Sequence, residues 1–222
     1  MTTTAQSERH ALCDSLVTLG DNAATLCEGW TTRDLAAHLV MRESRPDGAA
    51  GVIIAPLAKY SARVQAGIAA TGWENLVDRV RSGPPRWSPT RLAPVDRLAN
   101  TVEFFVHHED VRRAQAGWSV RPLDASLEAE LEAALRRMAR LLCRKAGVGV
   151  SLAITGTDAA GAPAATGPVR MITARKGSPV ATITGSAGEL LLYLYGRRDQ
   201  ALVEITGAPA AISALDLAKF GI

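Results

Sequence analysis

The sequence predicts an α+β protein, with a helical bundle over residues 1–146 followed by a small α+β domain over residues 147–222. Three observations lead there. Up to Gly147 the apolar residues recur at helical spacing between capping residues and Gly or Pro stops. After Gly147 the texture changes to short β-branched runs. Finally, 222 residues that are 47% hydrophobic and 21% charged supply enough apolar surface to bury a core without disulfides.

The first helix is expected over 7–19, with Ser7 as its cap and Gly20 as its left-handed stop. The stretch "WTTRDLAAHLVMRE" announces the second. Thr31 is the N-cap, Asp34 completes a variant capping box, and Trp30 and Leu35 are spaced as a hydrophobic staple. This helix should end near Arg45, before Pro46. A long connection leads to a third helix from about Leu57 to Ala70, and "GWENLVDRVRSG" adds a short fourth. "PPRWSPTRLAP" carries four prolines and reads as an extended loop, in which Trp87 is equally a pocket wall or a packed anchor. A helix from about Val95 to Gly117 follows. In the next one, Leu135, Met138, Leu141 and Leu142 share one side and Arg136, Arg137, Arg140 and Arg144 the other. "VGVSLAIT", "PVRMITA", "VATIT" and "ALVEIT" read as strands, and "GELLLYLYG" and "PAAISALDLAKF" as helices between or after them.

Composition excludes several classes. Lys and Arg total 25 against 22 Asp and Glu, a net +3, too weak to imply nucleic acid. The arginine side of the long helix reads as a solvated face, so no nucleic-acid partner is expected. Cys13, Cys27 and Cys143 are odd in number and lack C-x-x-C spacing, which fits reduced, buried thiols rather than a disulfide framework or zinc finger. The polar start has no apolar h-region, and no run approaches the roughly 18 apolar residues of a membrane span. A cytoplasmic protein without membrane attachment is therefore expected. There is no P-loop, G-x-G-x-x-G or G-x-S-x-G, so nucleotide and α/β-hydrolase chemistry lack support.

The chemistry concentrates in "EFFVHHEDVRR", residues 103–113. On a helical wheel Val95, Leu98, Val102 and Phe105 form one apolar wall, and Phe104 and Val111 another. Between them runs a polar stripe of Asp96, Asn100, Glu103 and His107. Glu103 and His107 stand at i and i+4, so both project together. His38, in the apolar stretch of the capped helix, needs a buried partner and supplies a third donor. Two imidazoles and one carboxylate leave a coordination position for water or substrate, as in catalytic zinc sites. The same set suits nickel or nonhaem iron. His108 points about 100° away from His107 and is left out. Glu109, Asp110, Arg112 and Arg113 read as a solvated, ion-paired end, with Asp110 alternatively orienting a ligating imidazole. The competing account of all three donors is that the histidines are ordinary core residues.

"LCEGWTTRDLAAHLVMRE" and "NTVEFFVHHEDVRRA" resemble the two metal-ligand helices of the DinB-like and mycothiol-dependent maleylpyruvate isomerase superfamily, above all an actinobacterial branch known only for metal binding. "ITGSAGELLLYLYGRRDQALVEITG" is similar to the small α+β domain, related to sterol carrier proteins, that follows the bundle in the isomerase. The resemblance implies a four-helix bundle holding a divalent metal, usually zinc, at His38, Glu103 and His107. It implies an isomerase or transferase in which the metal activates the sulfur of a low-molecular-weight thiol, mycothiol, acting on a small anionic substrate. It also implies an arginine from the C-terminal domain, for which Arg197, or its neighbour Arg198, is the nearest match. A metal-binding sensor or interaction protein without catalysis is the alternative. Bundles of this kind can also pair as homodimers through an exposed helix face.

Overall fold

The computed structural model describes residues 2–49, 55–85, 93–158, 161, 167–218 and 220. Two compact units make up the chain, Met1–Trp118 and Ser119–Ile222. The division falls earlier than the expected boundary at 146/147. Helix α7 (Ala125–Leu142) therefore belongs with the C-terminal unit, where it packs on α8 and β2, defined below.

The first unit is helical. Helix α1 (Thr4–Leu19) begins three residues before the expected start. Thr3-x-x-Gln6 forms a complete capping box, which Ser7 cannot, because His10 stands where the Glu or Gln would be. Gly20 ends the helix at φ +79°. Helix α2 (Thr32–Ser44) starts on the Thr31/Asp34 box as expected and stops at Arg45. The short helix α3 (Pro46–Ala49), α4 (Ala58–Ala69) and α5 (Trp73–Ser82) follow, then the long α6 (Ala93–Arg113). Trp87 and the side chains of Val95, Asp96 and Leu98 lie outside the described residues.

Leu12, Leu16, Leu35, Leu39, Met41, Leu76, Val80, Phe104 and Val111 close one apolar core, with α1 packed on α6 and α5, and α2 on α4 and α5. Inside it lies an ion pair. Arg9 of α1 meets Glu43 of α2, with their side chains only 3% and 4% exposed. Arg9 also donates to the Val80 carbonyl at 2.9 Å and stacks 4.2 Å over the Phe104 ring. Asn100 of α6 donates to Glu43 at 3.5 Å. One charge pair thus ties four helices. Removing one partner strands the other charge in an apolar interior. Glu43→Ala should therefore lower stability by about 3–5 kcal/mol in urea unfolding. A double replacement, Arg9→Met with Glu43→Leu, should cost less than the single change.

The second unit is mixed. Strands β1 (Gly149–Ile154), β2 (Arg170–Arg175), β3 (Val180–Gly185) and β4 (Glu204–Gly207) form a sheet in the order β2-β1-β3-β4. β1 pairs antiparallel with β2 and parallel with β3, and β3 pairs antiparallel with β4. Val150, Leu152, Ile154, Ala181 and Ile183 point to the buried face, two residues apart as the pleat demands. Helix α8 (Ala187–Leu194) is buried at every residue. Helix α9 (Pro209–Asp216) packs on β3 and β4. On α7 the buried stripe is Leu127, Leu131, Ala134, Leu135, Ala139 and Leu142. Leu141, expected on that side, is instead 47% exposed, one helical step round from Leu142. Arg136, Arg137, Arg140 and Arg144 are exposed, as expected of a solvated face. Gly149 and Gly177 lie so close that a Cβ at Gly149 would stand 2.5 Å from the Gly177 carbonyl oxygen, so glycine is required there. Among the described residues, no helix is long and apolar enough to cross a membrane.

Candidate metal centre

From Asn100 to Val111, α6 is buried at every residue except Glu103, which is half-buried. A helix buried all round must satisfy each polar side chain it carries. Glu103 and His107, one turn apart, face His38 of α2 across the helix pair. Glu103 Oε1 stands 3.5 Å from His38 Nε2 and 3.3 Å from His107 Nε2. The two imidazole centroids are 5.4 Å apart, edge to face. Donor atoms of all three residues lie within 4.8 Å of one another. The structure thus brings together the three donors that spacing selects.

The spacing between these atoms is informative. Two groups each about 2.0–2.1 Å from a tetrahedral zinc stand roughly 3.3 Å apart. The two separations at Glu103 are long for hydrogen bonds between charged groups, yet close to that value. His38 adds a second sign. Its ring is buried against Trp30, with centroids 5.1 Å apart, and its Nδ1 has no hydrogen-bond partner. Its Nε2, the nitrogen turned to Glu103, has that carboxylate oxygen at 3.5 Å, a long contact for a hydrogen bond. Two imidazoles and a carboxylate are a donor set that borderline divalent ions take. The residues fit a divalent cation.

Charges are arranged around this point. Arg42, one turn beyond His38, holds Nε 3.3 Å from the same Glu103 oxygen and donates to Asn100 Oδ1 at 2.6 Å. Burial works to raise the Glu103 pKa, but the adjoining His107 and His38 imidazoles outweigh it and hold the carboxyl well below the usual carboxylate range. Burial lowers the His38 pKa, with Glu103 opposing it. At His107 burial also acts to lower the pKa. Asp110, Cys27 and Glu103 outweigh it and raise the imidazole well above its ordinary value.

Behind His107 stands Asp110, fully buried, with Oδ2 2.9 Å from His107 Nδ1. Of the two readings the sequence left open for Asp110, the structure bears out the hydrogen bond to the imidazole. The solvated end is corrected: Glu109, Asp110 and Arg113 are all buried, and Glu109 pairs with Arg113 and Arg112 at 2.6 and 2.9 Å. The segment packs inside the unit, where one carboxylate pairs with two guanidinium groups. His108 turns away, as expected, to Glu8 at 3.2 Å and Ser15 at 3.1 Å.

Sequence reasoning missed Cys27. Its Sγ donates to Asp110 Oδ2 at 3.2 Å and stands 3.9 Å from His107 Nδ1. Cys27, His107 and Asp110 form a second group of donors within 4.8 Å, sharing His107 with the first. No local motif marks Cys27, because its partner lies 83 residues away in sequence. The other cysteines are inert by burial, which pushes both the Cys13 and Cys143 thiols up to about 12. Iodoacetamide at pH 8 should leave both unmodified in the folded protein and alkylate both after unfolding, by peptide mass spectrometry.

Arg197 sits in the second unit, before the short 3-10 turn Arg198–Gln200, and donates to the Tyr195 carbonyl at 2.5 Å. Arg198 is engaged structurally: its guanidinium lies 4.6 Å from the Phe220 ring and 5.3 Å from Tyr193, and donates to the Asp216 carbonyl at 2.8 Å. Compared with known proteins, the chain matches no family model, no curated protein and no solved structure.

Proposed function

We propose that this chain binds one divalent metal ion, zinc in the first place, through His38, Glu103 and His107, and uses it in an isomerase or transferase reaction that depends on a low-molecular-weight thiol. The observation that carries the metal reading is the spacing of donor atoms about Glu103 Oε1, close to what a four-coordinate ion imposes. Three protein donors leave a coordination position open. A divalent cation there favours thiolate over thiol, which is the chemistry a sulfur nucleophile needs at neutral pH.

The chain's own residues serve this in distinct ways. Glu103 offsets one of the cation's charges. Asp110 holds the Nδ1 proton of His107, so that Nε2 presents its lone pair. Arg42, beside Glu103, adds positive charge to the cluster, which would favour an anionic ligand on the ion. The resemblance to the isomerase adds mycothiol as the thiol and Arg197 as the group for a substrate carboxylate.

Two measurements test the reading in sequence. Elemental mass spectrometry of purified protein should find close to one divalent ion per chain, lost in His38→Ala. Calorimetric titration of the metal-loaded protein with mycothiol should then give saturable binding that metal removal abolishes. A metal-free protein that takes up neither zinc, nickel nor iron on addition sinks the proposal. Metal without thiol binding leaves the non-catalytic sensor as the function.

A further inference from the structure

The loop between α1 and α2 is pinned to α6 and to the residues just after it. The Leu26 amide donates to the Asp110 carbonyl at 3.0 Å, and Gln115 Nε2 donates to the Ala24 carbonyl at 2.9 Å. Within the loop, Thr25 Oγ1 donates to the Trp30 carbonyl at 2.9 Å, and the Trp30 amide donates to the Cys27 carbonyl at 2.9 Å. Cys27 therefore meets α6 in a fixed position. There its thiol and the His107 imidazole converge on one oxygen, Asp110 Oδ2, at 3.2 and 2.9 Å. The opposite edge of the same imidazole faces Glu103.

We propose that Cys27 is a positioning residue for the metal centre: by donating to Asp110 Oδ2 it fixes the carboxylate that orients His107. This rests on the metal reading above. The thiol adds a contact from a separate segment to the oxygen that His107 already holds, so the carboxylate cannot turn about its Cα–Cβ bond without breaking both. The thiol acts through Asp110 and not as a ligand, since its short contact is to the carboxylate while the nearer ring nitrogen lies 3.9 Å away.

The test uses the full-length protein with cobalt(II) as probe, in wild type, Cys27→Ala and Cys27→Ser. Wild type should bind with a visible d–d spectrum of low-coordinate cobalt. Removing a direct carboxylate partner of a ligating histidine typically costs ten- to a hundredfold in affinity, so Cys27→Ala, one bond further out, should cost roughly three- to tenfold. Its d–d bands should shift as well. Cys27→Ser keeps a donor and should restore both towards wild type. Melting of the metal-free proteins, compared across the three, separates these effects from a general loss of packing, which would lower melting without moving the cobalt bands. Affinity within twofold of wild type and an unchanged spectrum in Cys27→Ala would overturn the inference while leaving the metal reading intact. A thiolate-to-cobalt charge-transfer band in wild type that disappears in Cys27→Ala would also overturn it, by making Cys27 a ligand. No cobalt binding by wild type would overturn both.

Discussion

Glu103→Ala should strip the protein of its metal. Glu103 Oε1 faces both imidazoles, so its loss removes a group that holds the donor set together. Loss of a first-layer ligand should exceed the ten- to hundredfold cost of losing an outer-layer partner, so affinity should fall by more than about a hundredfold. The measurement is competition for zinc against a chromophoric chelator. Folding should survive, because a half-buried carboxylate with long contacts contributes less than a tight buried pair. His108→Gln supplies the control. It alters an adjacent, buried histidine whose partners are Glu8 and Ser15, and its zinc affinity should match wild type. Retained stoichiometric zinc in Glu103→Ala, or equal losses in both variants, would show that the metal lies elsewhere.

The second large effect is expected at Asp110, and it has a pH signature. In the metal-free protein the His107 pKa is raised well above its ordinary value, while that of His38 is lowered and that of Glu103 lies well below the usual range. At pH 7, then, the His107 imidazole is cationic and a metal must displace its added proton, while His38 is neutral and Glu103 ionised. Between the ordinary histidine range and the raised His107 value, apparent affinity should rise about tenfold per pH unit, one proton leaving per ion bound. Below that window His38 protonates too, and the dependence should steepen. Asp110→Asn removes the charge that supports the His107 proton, so the window should move to lower pH. Affinity at its plateau should fall by roughly ten- to a hundredfold, since the orienting carboxylate is gone. A pH profile identical to wild type would mean that Asp110 does not act on His107.

Much of the donor cluster is legible in the sequence because it depends on local geometry. Glu103 and His107 share a helix face by virtue of four-residue spacing alone. His38 is conspicuous as a polar ring in an apolar segment, behind a capping box that the structure reproduces atom for atom. Asp110 is only half legible. Its position three residues past His107 allows a hydrogen bond, but the run of charges around it reads equally as a solvated end. The pairing of Glu109 with Arg112 and Arg113 follows from helical spacing, but that spacing does not say that Glu109 and Arg113 are buried. Arg42 and Cys27 are not legible as parts of the site. Both reach it through packing between segments roughly 60 and 80 residues apart.

Helix α7 teaches the same lesson about the fold. Its alternation of leucine and arginine announces an amphipathic helix and a buried stripe. It does not say what that stripe packs on, and the natural guess, that a helix after helices joins them, puts the boundary too late. The chain alone determined where most helices and strands run, that α2 is capped at Thr31, and that two imidazoles and a carboxylate are the donors to watch. Those features follow from spacing within single turns and pleats. The tertiary structure alone decided that α7 joins the sheet, that the acidic and basic end of α6 is interior, and that a thiol from a distant loop rests on the aspartate behind His107. Each depends on which surfaces meet once the chain is folded, and contacts between distant segments leave no periodicity in the sequence that encodes them.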